Sequence, residues 1–130
     1  MKNDNNNTEI HPGFPAALDG PIAAPEHHRV VFENEQVRVM EFRVPAGDIV
    51  PAHTHRWPSI NYVFSLSDFL SYDADGRVKF DSRTERFGAK EGEAFCLPAF
   101  PPVHSVKNIG GTEMRGISIE LKDGLAEAVS

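Results

Sequence analysis

From His28 onward the chain is a series of short strand-like runs separated by turn residues, and no stretch carries a long helical period. The runs cover 29–32, 36–44, 49–53, 59–64, 68–72, 77–80, 93–97, 103–106 and 113–121. Short strands at this spacing close into a sandwich or barrel, so the predicted fold class is all-β, a single small β-barrel or jelly roll. Val78 and Phe80 alternate with charged neighbours, and Ile117, Ile119 and Leu121 share one face of the last run. Asp75-Gly76 and Gly110-Gly111 read as tight turns with positive φ. Only 123–130 leave room for a helical turn.

A chain of 130 residues, 40 % hydrophobic and 25 % charged, holds one domain with one core. Such a barrel encloses a single small-molecule pocket, not a cofactor domain beside a substrate domain. Thirteen basic residues face 19 acidic ones, for a net charge of −6, and no Lys/Arg cluster marks a phosphate-tracking surface. Nucleic acid is therefore excluded as a partner. No apolar run approaches the ~20 residues of a membrane span, and the polar start lacks the apolar stretch of a secretory signal, so the expected location is cytoplasmic. Cys96 is the only cysteine, which rules out an intrachain disulfide; beside Ala94 it reads as a small core residue.

Residues 1–25 form a different texture. Pro12, Pro15, Pro21 and Pro25 at this density disfavour both helix and inner strand, and the segment is expected to run extended or disordered. It is an arm that lies across the barrel or a neighbouring subunit. The barrel itself is assigned to 26–122 and a tail to 123–130.

Three of the six histidines fall where a barrel gathers them. His53 and His55 lie two apart, so on a strand both imidazoles share one face with Cα atoms about 6.5–7 Å apart, while Thr54 points the other way. His104 follows about fifty residues later, after a proline-rich approach. Two imidazoles from one strand and a third from another leave open positions on a metal ion, as a catalytic centre requires. The plainer alternative is a surface His pair with an unrelated His104.

The residues around these histidines resemble the two motifs of the cupin superfamily. Gly47, five residues, then His53-Thr54-His55 matches the first. Gly92, five residues, Pro98, and then His104, three residues, Asn108 match the second. The resemblance covers residues 29–122 and implies a cupin barrel with one divalent ion on His53, His55 and His104. Fe(II) leads, with Mn, Ni and Zn as alternatives, and single-barrel cupins imply a homodimer.

The departures carry chemistry of their own. Cupins place a Glu beyond the second His with three or four residues intervening; here those positions are Ser59 and Ile60. Phe100 replaces a glycine, and the gap from Pro98 to His104 is one residue longer. Three neutral imidazoles leave the full +2 charge of the ion and two or three open positions, at lower metal affinity than a site with a carboxylate.

Arg56 is a candidate clamp for a substrate carboxylate and Tyr62 a candidate proton donor, each weighed against an ordinary packing role. Trp57 packs the barrel mouth or a subunit contact. Glu41 breaks the apolar phase of Val37 and Val39; it reads as a buried base or, more simply, as an outward residue after a bulge. His27-His28-Arg29 reads as a polar edge rather than a second metal site. The leading function is a three-histidine dioxygenase-like enzyme acting on a small molecule. The alternatives are a non-catalytic binding module or sensor and a metal-dependent isomerase or lyase.

Overall fold

A computed structural model describes residues 15–124. Expectations for 1–14 and 125–130 lie outside the described residues. All nine expected runs are strands: β1 (His28–Glu33), β2 (Val37–Val44), β3 (Ile49–His55), β4 (Ser59–Ser65), β5 (Phe69–Tyr72), β6 (Val78–Asp81), β7 (Ala94–Leu97), β8 (Phe100–Asn108) and β9 (Met114–Leu121). They pair antiparallel in two sheets, ordered β1-β2-β9-β4-β7 and β3-β8-β5-β6, as the two walls of a jelly roll. Strands β3 and β8 run further than expected because register shifts at Val50/His53 and His53/His55 let pairing continue past Pro51.

The two motif glycines have a backbone reason. Gly47 (φ 85°) and Gly92 (φ 78°) turn the chain into β3 and β7 in the left-handed region where side chains are disfavoured. Gly76 adopts the expected positive φ, but Gly110 does not. A Cβ at Gly110 would sit 2.9 Å from the Asp68 backbone nitrogen, so glycine is needed there for close approach.

On strands β2 and β9 the more apolar phase faces outward. Arg38, Met40 and Val44 are buried, whereas Val37, Val39 and Glu41 lie on the outer phase. On β9 the buried set is Met114, Gly116, Ser118 and Glu120, which leaves Ile117, Ile119 and Leu121 only half-buried on the outside. Glu41 therefore faces outward without any bulge in β2, and pairs with Arg29 and Arg115. The reason is a buried charge pair: the Arg38 guanidinium meets Glu120 at 2.5 Å, and that contact sets which phase of both strands faces inward.

Residues 15–24 also differ from expectation. Instead of running extended, they form a 3-10 turn at Ala16–Leu18 and one turn of helix, α1 (Gly20–Ala23). Proline is compatible with this because Pro15 precedes the 3-10 turn and Pro21 sits in the first turn of α1, where no N–H partner is lost. This strap bridges in parallel to the free edge of β3 through Asp19 and Thr54, and covers Thr54 completely.

The hydrophobic core joins Ala24 of the strap to Val44, Val50, Phe69 and Met114, with Phe80 and Val106 packed against it. Cys96 is exposed rather than a core residue, because the outward phase of β7 carries it. No helix of the described residues is long and apolar enough to cross a membrane.

Asn108, the last residue of the second motif, is fully buried and closes the end of the barrel. Its Nδ2 donates to the Val44 and Thr112 carbonyls at 2.9 and 2.8 Å, and its Oδ1 accepts from the Gly110 amide at 3.0 Å. Asn108→Ala strands three backbone groups at once, and each unsatisfied buried group costs about 1–3 kcal/mol. We expect the variant to lose about 2–4 kcal/mol in urea unfolding; a loss below about 0.5 kcal/mol would remove the structural role assigned to it.

Candidate metal centre

Four imidazoles meet inside the barrel. His53 and His104 are direct cross-strand partners on β3 and β8, with ring centroids 4.3 Å apart. His55 lies 4.8 Å from His53 and 5.0 Å from His104. The expected three are thus brought together. The fourth, His28, opens β1 on the opposite sheet and packs 4.7 Å from His53 and 6.0 Å from His55. One ligand atom from each of His28, His53 and His55 can be chosen so that all lie within 4.8 Å of one another.

The hydrogen bonds fix what these rings offer. Nδ1 of His53 lies 2.8 Å from the Pro51 carbonyl, that of His104 lies 3.1 Å from the Pro102 carbonyl, and that of His28 lies 3.1 Å from the Ala24 carbonyl. A carbonyl only accepts, so each Nδ1 carries the proton. In the neutral ring Nε2 is then left with its lone pair free, the tautomer a metal ligand needs. Burial keeps the rings neutral: it takes His53 down to about 3 and His28 to about 4, with the neighbouring imidazoles adding to the effect on His53. His55 and His104 are lowered for the same first reason, loss of solvent.

The imidazoles border a cavity of about 170 Å³ whose remaining wall is mostly apolar, including Met40, Val63 and Phe95, with Asn61 and Ser118 as polar points. No carboxylate lines it among the described residues. Of the two positions where a cupin Glu is expected, Ser59 points inward and bonds Asn61 at 2.9 Å, while Ile60 lies on the outer phase.

Tyr62 and Arg56 do not reach this cavity. Tyr62 shares the outer phase of β4 with Ile60, is 42 % exposed and packs edge-on against Phe64, so it cannot deliver a proton inside. Arg56 stacks over Trp57 at 4.3 Å and faces Asp19 at 4.0 Å. Trp57 is buried among the cations of Arg38, Arg56 and Lys122. His28, assigned to a polar edge, is the residue that sequence reasoning missed. The available signal was its position on a run that pairs with β2.

Neutral buried imidazoles carry a stability cost in acid. Unfolded histidines take up protons near pH 6.5, whereas folded His53 and His28 wait until about 3 and 4. Their stabilising contribution is complete above pH 6.5 and is lost as pH falls toward those values, with a slope of about 1.4 kcal/mol per pH unit for each histidine. For the metal-free protein we expect the urea midpoint to drop steadily from pH 6.5 to 4.5, and less steeply in His53→Gln. A flat profile would contradict the burial of neutral rings.

Neither a family model nor a curated protein matches this chain. Solved structures do. A cupin domain from Bordetella pertussis Tohama I superposes with a TM-score of 0.57 at 24 % identity, covering 72 % of this chain and 90 % of that one. An RmlC-like cupin with a double-stranded β-helix fold from Methanocaldococcus jannaschii gives 0.51 at 14 % identity, covering 72 % and 77 %. An uncharacterized protein with a double-stranded β-helix domain from Klebsiella pneumoniae gives 0.50 at 19 %, covering 73 % and 75 %. The fold is that of a small cupin.

Proposed function

We propose that this cupin is a mononuclear metal-dependent enzyme in which His53, His55 and His104 hold one divalent ion, Fe(II) first and Mn, Ni or Zn as the other candidates. The supporting observation is a cluster of three imidazoles, His53 buried and His55 and His104 half-buried, with ring centroids 4.3–5.0 Å apart, bordering a mostly apolar cavity. When bound, such an ion supplies Lewis-acid polarisation of a chelating oxygen ligand and, as Fe(II), a redox partner for O₂. The substrate class is a small diketone or hydroxy acid, and the reaction dioxygenase-like.

The chain's own part is binding and orientation. The Pro51 and Pro102 carbonyls lock two of the rings in one tautomer. Met40, Val63 and Phe95 exclude water around the reacting carbons, and Asn61 and Ser118 offer the cavity's polar contacts. No side-chain acid or base other than the imidazoles lines the cavity among the described residues, which favours chemistry that needs no separate proton donor.

The test is metal content by plasma mass spectrometry of protein incubated with Fe(II), Mn, Ni or Zn and desalted, beside His104→Ala. We expect near-stoichiometric metal in the parent and at least a tenfold loss in the variant; an empty parent with every metal sinks the proposal. Fe(II)-loaded protein should then consume O₂ with one of a panel of β-diketones and α-hydroxy acids. Binding of the panel without O₂ uptake would leave a sensor or binding module instead.

We further propose a homodimer formed through the outer face of the five-stranded sheet. Val39, Ile119, Ile60 and Cys96 stand opposite one another in register across four strands, flanked by Tyr62 and Phe64, which are 42 % and 45 % exposed. The charges around this row are already neutralised within the chain: Glu41 by Arg29 and Arg115, Arg43 by Glu113, and Lys122 by Glu33. A second copy therefore meets this face without stranding a charge, although the chain carries a net −6. Sedimentation should give a dimer for the parent and a monomer for Ile119→Lys. A monomeric parent would overturn the assignment and point to cover from within the same chain.

A further inference from the structure

We infer that His28 is a fourth protein ligand of the metal site, delivered from the opposite sheet to take the place of the carboxylate absent at Ser59 and Ile60. This rests on the metal reading of His53, His55 and His104 given above. Those three come from β3 and β8 of one sheet, whereas His28 opens β1 at the edge of the other. A metal held by all four would pin the two walls of the barrel to each other.

The strap supplies the geometry. The Ala24 carbonyl at its end accepts the His28 Nδ1–H at 3.1 Å, which commits Nε2 to the site. Gly20 makes room for the ring: a Cβ there would stand 3.3 Å from His28 Cδ2 and 3.4 Å from Cγ, closer than ordinary contact. Asp19, next to Gly20, is clamped by both outer nitrogens of the Arg38 guanidinium at 2.7 and 2.9 Å. That anchor holds Gly20 against the imidazole. His28 is 9 % exposed, and its ring lies against His53 and His55. A histidine serving only as a polar edge has no need of a tailored backbone seat facing two other imidazoles.

The chemical consequence is an all-nitrogen site with no protein charge. A carboxylate at this position would reduce the charge of the bound ion by one; His28 adds a donor and leaves the ion at +2. One fewer position stays open than in a three-histidine site.

The experiment uses the full chain and Co(II) as the probe metal. Affinity is read by titration, and the number of coordinated imidazoles by X-ray absorption, for the parent, His28→Gln and His28→Ala. The glutamine amide can still donate to the Ala24 carbonyl, so it separates loss of the ligand from loss of the seat. We expect four imidazoles in the parent and three in both variants, with affinity reduced at least roughly 10- to 100-fold. The rise in melting temperature on adding Co(II) should also shrink in both variants. Tyr62→Phe, outside the cavity, should match the parent.

Three imidazoles in the parent, or unchanged affinity and count in the variants, would overturn the His28 assignment and leave the three-histidine reading standing. A parent that binds no Co(II), Fe(II), Mn, Ni or Zn would overturn both. If either variant fails to fold, the imidazole count of the parent alone still decides.

Discussion

The buried guanidinium of Arg38 is the contact on which the rest of the site depends. Its Nε bonds Glu120 on β9 and its two terminal nitrogens bond Asp19 on the strap, with all three side chains almost wholly removed from solvent. Burial works against the charge of each, and the outcome differs between the two carboxylates. Asp19, gripped twice, is held below its usual range against the cost of burial, whereas burial leaves Glu120 above its own. Burial also opposes the charge on Arg38, but the two carboxylates outweigh it and hold its proton more tightly than usual. Removing one partner from such a group costs about 3–5 kcal/mol, since a buried charge is left uncompensated. The pairing therefore fixes three things together: the inward phase of β2, the inward phase of β9, and the docking of the strap that carries Gly20 and Ala24 to His28.

This explains which parts of the molecule could be read from the chain. Strand positions were legible throughout because turn residues and alternation are local signals. The gathering of His53, His55 and His104 was legible because two gapped motifs fixed their spacing. The direction of alternation was not. Val37 and Val39 on β2, and Ile117, Ile119 and Leu121 on β9, form the apolar phase of their strands, and such a phase ordinarily faces the core. Here Arg38 and Glu120 take the interior together, a contact between residues 82 apart in sequence that no local pattern carries.

The same blind spot accounts for His28, Tyr62 and Arg56. Proline density in the first 25 residues argued for an extended arm, yet Pro15 and Pro21 occupy positions that start helical turns rather than break them. With the strap read as an extended or disordered arm, nothing connected His28 to the interior. Tyr62 was chosen because it shares a phase with Ile60 on the strand that follows the ligand pair, but β4 places Ser59, Asn61 and Val63 inside and its alternate residues outside. Arg56 follows His55 directly, so the chain turns its side chain to the opposite side, where Asp19 and Trp57 receive it.

The loss of the motif carboxylate and the polar inversion of the sheet can be understood together. Charged groups inside this barrel are segregated: Asp19 and Glu120 meet Arg38, with Arg56 4.0 Å from Asp19, beneath the strap, while the cavity keeps only imidazoles, an amide, a hydroxyl and hydrocarbon. A carboxylate at Ser59 would stand next in register to Glu120 across β4 and β9, and two buried like charges so placed disfavour each other. Serine avoids that conflict and bonds Asn61 instead.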